Sequence, residues 1–267
     1  MIKTVIIDSV EKATELILDR EYNPEIERVR SPFLFRGMPD ARYPLTTSLT
    51  RNCAEKQKQL EERILDSFTK YALKEEPGLG DCVWKQMILG QHHGLPTRLL
   101  DWSHSSLIAM HFATVEDDIG NTDKRDGLVW RIDMREMVAL LPERYREVLD
   151  ADKTTTFSVD TLKQVAPTTE RYDRDMGSDS IAIIEPPSTD PRIINQYSYF
   201  SVIPLGVSDV ARFFEENTQN TVRYIIKREV RWALRDLLDQ FNISERIVYP
   251  GLDGLSRWIA RHYYVKQ

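Results

Sequence analysis

Only two cysteines, Cys53 and Cys82, occur in the 267 residues. They cannot build a disulfide framework, so a reducing compartment is expected. Apolar runs are short, and none approaches the ~20 residues that cross a bilayer as a helix. The opening Met1-Ile2-Lys3-Thr4-Val5-Ile6-Ile7-Asp8 stops at an acid and lacks the longer apolar stretch and small-residue cleavage site of a secretory signal. The expected location is the cytoplasm, with no membrane partner. An excess of basic charge is missing as well: 36 Lys and Arg against 42 Asp and Glu give a formal net charge of -6. That excludes a general phosphate-backbone binder and leaves room only for a local basic groove. No G-x-x-x-x-G-K-[ST] or G-x-S-x-G pattern occurs, and the lone Gly78-Leu79-Gly80 is too little for a dinucleotide fingerprint. Neither C-x-x-C nor H-E-x-x-H spacing is present, so no metal is expected.

What is there is ordinary for a folded domain, with 41% hydrophobic and 29% charged residues. The length fits one sizeable core, or one core with a smaller lobe. Val5 to Ile7 reads as a short strand, and Ser9 as the N-cap of a helix from Val10 to Arg20 with Ala13, Leu16 and Ile17 on one face. Pro32 to Gly37 reads as a strand, followed by a Pro-rich loop to Pro44. Glu55 to Lys74 is a helix by the spacing of Leu60, Ile64, Leu65, Phe68 and Tyr71. Trp84 to His93 is another, stopped by Gly94 and Pro96. Ser103 to Val115 is helical, with Asp101 or Ser103 as its cap. Gly127 to Asp133, Ser180 to Glu185 and Tyr199 to Ile203 read as strands. Asp150 to Ser178 is polar enough to be partly disordered or a mobile lid. Helices from Lys227 to Phe241 and from Leu252 to Tyr263 close the chain. The interleaving is not a strict βαβ alternation, so the fold class is α+β: a mixed, largely antiparallel sheet with flanking helices.

Three segments could carry chemistry. Arg36 follows four apolar residues at the end of a strand, where a charged group needs an anionic partner, either an internal acid or a ligand. Gly37 lets a ligand or another backbone come close. Gln91 to Ser103 packs polar groups into a Gly- and Pro-containing turn, where Arg98 and Asp101 are near enough to pair; the same groups could instead line a pocket. Arg192 and Gln196 precede a strand, and Gln196 could present its amide to a cleft. The cations Lys227, Arg228, Arg231 and Arg235 read as a solvated helix face.

Taken together these segments resemble the FRG domain, a bacterial and phage family named for its Phe-Arg-Gly motif. The resemblance rests on Leu34-Phe35-Arg36-Gly37, on Gln91-His92-His93-Gly94-Leu95-Pro96-Thr97-Arg98-Leu99-Leu100-Asp101-Trp102-Ser103, and on the helix around Ala109 to Ala113. The Arg192 and Gln196 segment and Tyr249 to Leu255 are also similar to the family. It implies residues 1–31 as an N-terminal strand-helix extension and 32–267 as the FRG domain. One departure is Tyr197-Ser198 after Gln196, where a glycine is expected.

The order Phe35-Arg36-Gly37, Thr97 to Ser103, Ala109-Met110-His111-Phe112-Ala113 also resembles that of ADP-ribosyltransferases, although no clear Ser-Thr-Ser strand or Gln-x-Glu motif is present. That resemblance implies NAD as substrate. Arg36, Gly37, Gln91, His92, His93, Thr97 and Arg98 would bind it, and Arg36, Asp101, Glu185 and Gln196 would serve catalysis. Breaking the nicotinamide bond develops positive charge on the ribose, which Asp101 or Glu185 would stabilise while Arg36 neutralises the pyrophosphate. Two functions follow: an NAD-using transferase or hydrolase acting as a toxin or phage-defence effector on a protein or nucleic-acid acceptor, or a non-catalytic module that binds a nucleotide or a protein. The first requires Arg36, Gln91, Arg98 and Asp101 to converge on one concave pocket. The second has them pair with one another in a shallow cleft.

Overall fold

The computed structural model describes residues 1–24, 26–80, 82–188 and 190–266. The chain opens with strand β1 (Lys3–Ile7) and helix α1 (Val10–Ile17), whose cap Ser9 accepts a hydrogen bond from the Lys12 amide. Ala13 and Leu16 are buried, but the helix ends at Ile17 and the chain turns into a ribbon of β2 (Glu21–Asn23) and β3 (Arg28–Arg30). Strand β4 (Phe33–Met38) follows, then α2 (Ser48–Cys53), α3 (Gln57–Ala72) and α4 (Val83–His92).

At this point the structure departs from the expectation. Leu99–Ser103 is a strand, β5, not the approach to a helix, and the following helix α5 (Ser106–Thr114) is capped by Ser105, not by Asp101 or Ser103. Leu99, Leu100, Trp102 and Ser103 are all buried, so both faces of the strand are covered and the residues do not alternate cleanly. Next come β6 (Gly127–Asp133), α6 (Met134–Ala139), α7 (Glu143–Asp152), α8 (Val159–Val165) and α9 (Thr169–Met176). The remaining elements are β7 (Ala182–Ile184), α10 (Pro191–Asn195), β8 (Ser198–Val202), α11 (Val210–Asn217) and β9 (Val222–Ile226). Helices α12 (Arg231–Gln240), α13 (Glu245–Val248) and α14 (Leu252–His262) complete the fold.

Among the described residues seven strands form one sheet in the order β1-β9-β6-β4-β5-β8-β7. Only β1 with β9 is parallel, so the sheet is largely antiparallel and the fold is α+β. One face, with Leu34, Leu100, Trp102, Trp130 and Ile132, packs against Met137 of α6 and Phe213 and Phe214 of α11. The other face carries two separate clusters. Phe33, Phe35, Val129 and Tyr224 meet α1, α5 and α12, while Leu99, Phe200, Val202 and Ile184 meet α4, α8 and α9. The boundary between these clusters runs along β4 and β5.

The polar stretch 150–178 is part of the core and not a lid. Leu162, Val165, Tyr172 and Met176 are at most 2% exposed, and the Tyr172 hydroxyl bridges Val202 and Ala182. Helices α8 and α9 each bury just two side chains, which leaves their sequences looking like solvated loop. Arg231 and Arg235 do not form a solvated face either. Both are buried, because Glu116 and Glu245 reach them from elsewhere in the chain.

Candidate functional site

The sheet opens between β4 and β5. These strands share a single registered pair, Phe35 with Ser103, whereas β4 and β6 pair over six residues and β5 and β8 over five. Beyond Phe35 the Arg36 side chain fills the widening seam. Its Nη1 donates to the Asp101 carbonyl oxygen at 2.7 Å and to Asp101 Oδ2 at 3.2 Å. The Arg36 side chain is 18% exposed and the Asp101 side chain 55%. The charge is thus half-sunk in the seam, and its acid partner faces solvent. Among the described residues the buried Nε of Arg36 has no hydrogen-bond partner.

Gln91, in the last turn of α4, completes the cluster. Its amide nitrogen donates to both Asp101 carboxylate oxygens at 3.1 Å. Its amide oxygen accepts the Thr97 hydroxyl at 2.6 Å, which fixes which end of the amide faces Asp101. Thr97 is itself tied to α2, donating its amide to Ser48 Oγ at 3.0 Å and accepting the Leu49 amide at the same distance. Helix α2 brings a residue that sequence reasoning missed, Arg51. Partial desolvation, then the charge of Arg36, hold its guanidinium below the ordinary arginine value, while Asp101 pulls the other way. Arg51 Nη1 donates to the Thr46 carbonyl oxygen at 2.7 Å, and of the two guanidiniums Arg36 is the one ion-paired with Asp101. Arg51 belongs to no motif; a lone cation in a Ser/Thr-rich stretch was its only sequence signal.

The other expected site residues lie elsewhere. Gly37 faces away from solvent toward α5, whose backbone rests directly on it. A Cβ at Gly37 would sit 1.8 Å from the Ala109 oxygen. Arg98 does not pair with Asp101. It is 1% exposed and donates from Nε to Glu61 at 2.6 Å and from Nη1 to Asp173 at 2.6 Å. Burial alone would lower its pKa, but the hydrogen bonds and charges of those two acids outweigh it and raise the value. His92 turns its ring toward Asp190, and His93 is exposed at the end of α4. Glu185 is exposed just after β7, with β8 standing between β7 and β5, and accepts from Thr156 at 3.4 Å. Burial first, then Glu185, pushes the neighbouring Tyr199 hydroxyl up to about 12. The Gln196 amide donates to the Val248 carbonyl at 3.0 Å, tying α10 to α13. Arg36, Gln91, Thr97 and Asp101 are thus brought together, and Arg98, Glu185 and Gln196 have other partners.

The FRG domain family model matches residues 31–121. That span, about a third of the chain, is similar to the FRG domain. It runs from β4 through α5 and includes Arg36, Arg51, Gln91 and Asp101. Strands β6 to β9 complete its sheet from outside the matched span. Where a glycine was expected after Gln196, Tyr197 takes φ +48°, a left-handed backbone that favours glycine. No curated protein and no solved structure matches the chain.

Proposed function

We propose that the β4–β5 seam binds the phosphate groups of a nucleotide, NAD foremost. The observation that carries the proposal is the half-buried Arg36, ion-paired where the seam opens to the half-exposed Asp101, with Arg51 a second cation on the adjoining helix α2. Guanidiniums grip phosphate oxygens through paired N–H donors, and Arg36 has an unused N–H at its Nε. Asp101, held by the Gln91 amide and half exposed, is placed to accept ribose hydroxyls beside the phosphates.

The geometry favours a binding module over a catalyst. Arg36, Gln91 and Asp101 pair with one another, Arg98 is committed to Glu61, and Gln196 to Val248. The enzymatic reading, an ADP-ribosyltransferase or NAD hydrolase in a toxin or phage-defence setting, rests on Asp101 alone. Its solvent-facing carboxylate would have to stabilise the charge that develops on the ribose as nicotinamide leaves.

Calorimetric titration with NAD of the wild type, Arg36→Gln and Asp101→Asn tests both, with chromatography for released nicotinamide. Loss of a charge-assisted contact in Arg36→Gln should weaken binding about tenfold or more. Binding without nicotinamide release identifies the module. Release by the wild type that Asp101→Asn abolishes identifies the enzyme. A folded wild type that binds no NAD overturns the proposal.

A further inference from the structure

The last turn of α4 borders two sites. Gln91 faces the seam, while His92 lines a separate pocket of about 600 Å³ together with Asp190, Arg192, Tyr249, Asp253 and Arg257. Two features set this pocket apart. The guanidinium carbons of Arg192 and Arg257 stand 5.2 Å and 5.4 Å from the centre of the Tyr249 ring. Among the described residues neither guanidinium makes an ion pair or a side-chain hydrogen bond, although the buried arginines Arg98, Arg231, Arg235 and Arg261 all have acids. The second feature is His92. Among the described residues its buried Nε2 has no hydrogen-bond partner, and it lies 3.4 Å from Asp190 Oδ1. Burial, reinforced by Arg192 and His93 and opposed by Asp190, lowers its pKa, so the ring is neutral at pH 7 and that nitrogen is unsatisfied.

The pocket therefore offers two unpaired cations, two carboxylates and one unsatisfied ring nitrogen. Asp190 Oδ1 accepts the Arg192 amide at 2.6 Å, which holds the carboxylate at the rim. A simple anion would satisfy the guanidiniums but leave the acids repelling it. A ligand with both a phosphate and adjacent hydroxyls satisfies every group: arginines take phosphate oxygens, and carboxylates accept hydroxyl hydrogens. We propose that this pocket binds a sugar phosphate, with Arg192 and Arg257 on the phosphate and Asp190 and Asp253 on the sugar hydroxyls. His92 supplies a further contact from the pocket floor. The assignment is independent of the seam, with which the pocket shares no residue.

Ribose 5-phosphate, inorganic phosphate and ribose serve as probes, each titrated calorimetrically into the full chain. The variants are Arg192→Gln with Arg257→Gln, and Asp253→Asn, each compared with its parent in an Arg36→Gln background so that the seam takes up no phosphate. The expected order is ribose 5-phosphate tighter than either part. The double variant should lose at least about tenfold, as the removal of charged donors from a phosphate implies. Asp253→Asn should weaken ribose 5-phosphate more than inorganic phosphate. In histidine NMR spectra, the His92 resonances should move on titration. Three results overturn the proposal: no binding by the Arg36→Gln parent, unchanged binding by a folded double variant, or inorganic phosphate as tight as ribose 5-phosphate.

Discussion

Replacing Gly37 by alanine separates a packing role for this residue from a ligand-binding one. The added Cβ would lie 1.8 Å from the Ala109 carbonyl oxygen and 2.7 Å from the Ala113 amide nitrogen. A carbon and a carbonyl oxygen ordinarily rest at about 3.3 Å, so α5 would have to withdraw by roughly 1.5 Å. No rotamer change relieves the clash, because both opposing atoms are backbone. A second glycine of the same sheet lies equally close to the helix: a Cβ at Gly127 on the neighbouring β6 would be 2.1 Å from the Ala113 oxygen. Overpacking a core costs about 1–3 kcal/mol, and the backbone atoms that meet the new Cβ put this case at the upper end. Alanine regains about 0.5–1 kcal/mol of backbone entropy in a strand, leaving a net loss near 2 kcal/mol. In urea, with a slope of about 2–3 kcal/mol per molar, the unfolding midpoint should fall by somewhat under 1 M. Gly94→Ala is the control. Gly94 has φ +83° and nothing within 4 Å of an added Cβ, so only backbone strain of about 1–2 kcal/mol should appear. Gly37→Ala with a wild-type midpoint would refute the steric argument. An unchanged midpoint with lost NAD binding would return Gly37 to the ligand.

Two further outcomes follow from buried charge. Arg98→Ala leaves Glu61 buried without its cation and should cost about 3–5 kcal/mol in urea unfolding. Arg98→Met with Glu61→Met should recover much of that, and a double variant as unstable as the sum of the singles would refute the pairing. Asp40 is 2% exposed, and hydrogen bonds from Arg42, above all, hold its carboxyl at about 2, below its ordinary 3.8. A depressed acid stabilises the fold above its unfolded value and loses that stabilisation as pH falls through the folded one. Asp40→Asn should therefore cost about 1 kcal/mol at pH 7, less than the full shift because solvent screens the exposed Arg42. The gap from the wild type should close between about pH 4 and pH 2 in thermal melts. A gap that persists at pH 2 would rule out the ionised pair as its origin.

The readable parts of the fold were those with local signals. Strand β6 has the bounds its apolar run implied, from Gly127 to Asp133, and the Ser9 cap sits where a serine before an amphipathic segment should. Strand β5 was hidden because covered faces erase alternation. Strand β9 carried a usable signal, buried Val222, Tyr224 and Ile226 alternating with less buried neighbours, which the reading passed over. Partner choice was the least legible property. Arg98 pairs with acids 37 and 75 positions away, and no spacing rule favours these over Asp101, three positions along. Arg51 comes within electrostatic reach of Arg36 and Asp101 because α2 docks on Thr97, a contact between segments 49 positions apart.

The motif residues divide by what they touch. Phe35 fills the core beneath α1 and α5, and Gly37 admits α5 to the sheet. Thr97 fixes the end of β5 against α2, and Arg98 anchors α3 and α9 to the same strand. All four would be required by any chain that builds this sheet, with or without a ligand. Arg36, Gln91 and Asp101 differ. They meet at the one place where neighbouring strands part, and they keep a half-exposed carboxylate beside an arginine with a spare donor. An ion pair that served only the fold would close on itself. This one leaves the Asp101 carboxylate half open to solvent and an Arg36 N–H unused, and an anionic ligand bearing hydroxyls would take up both.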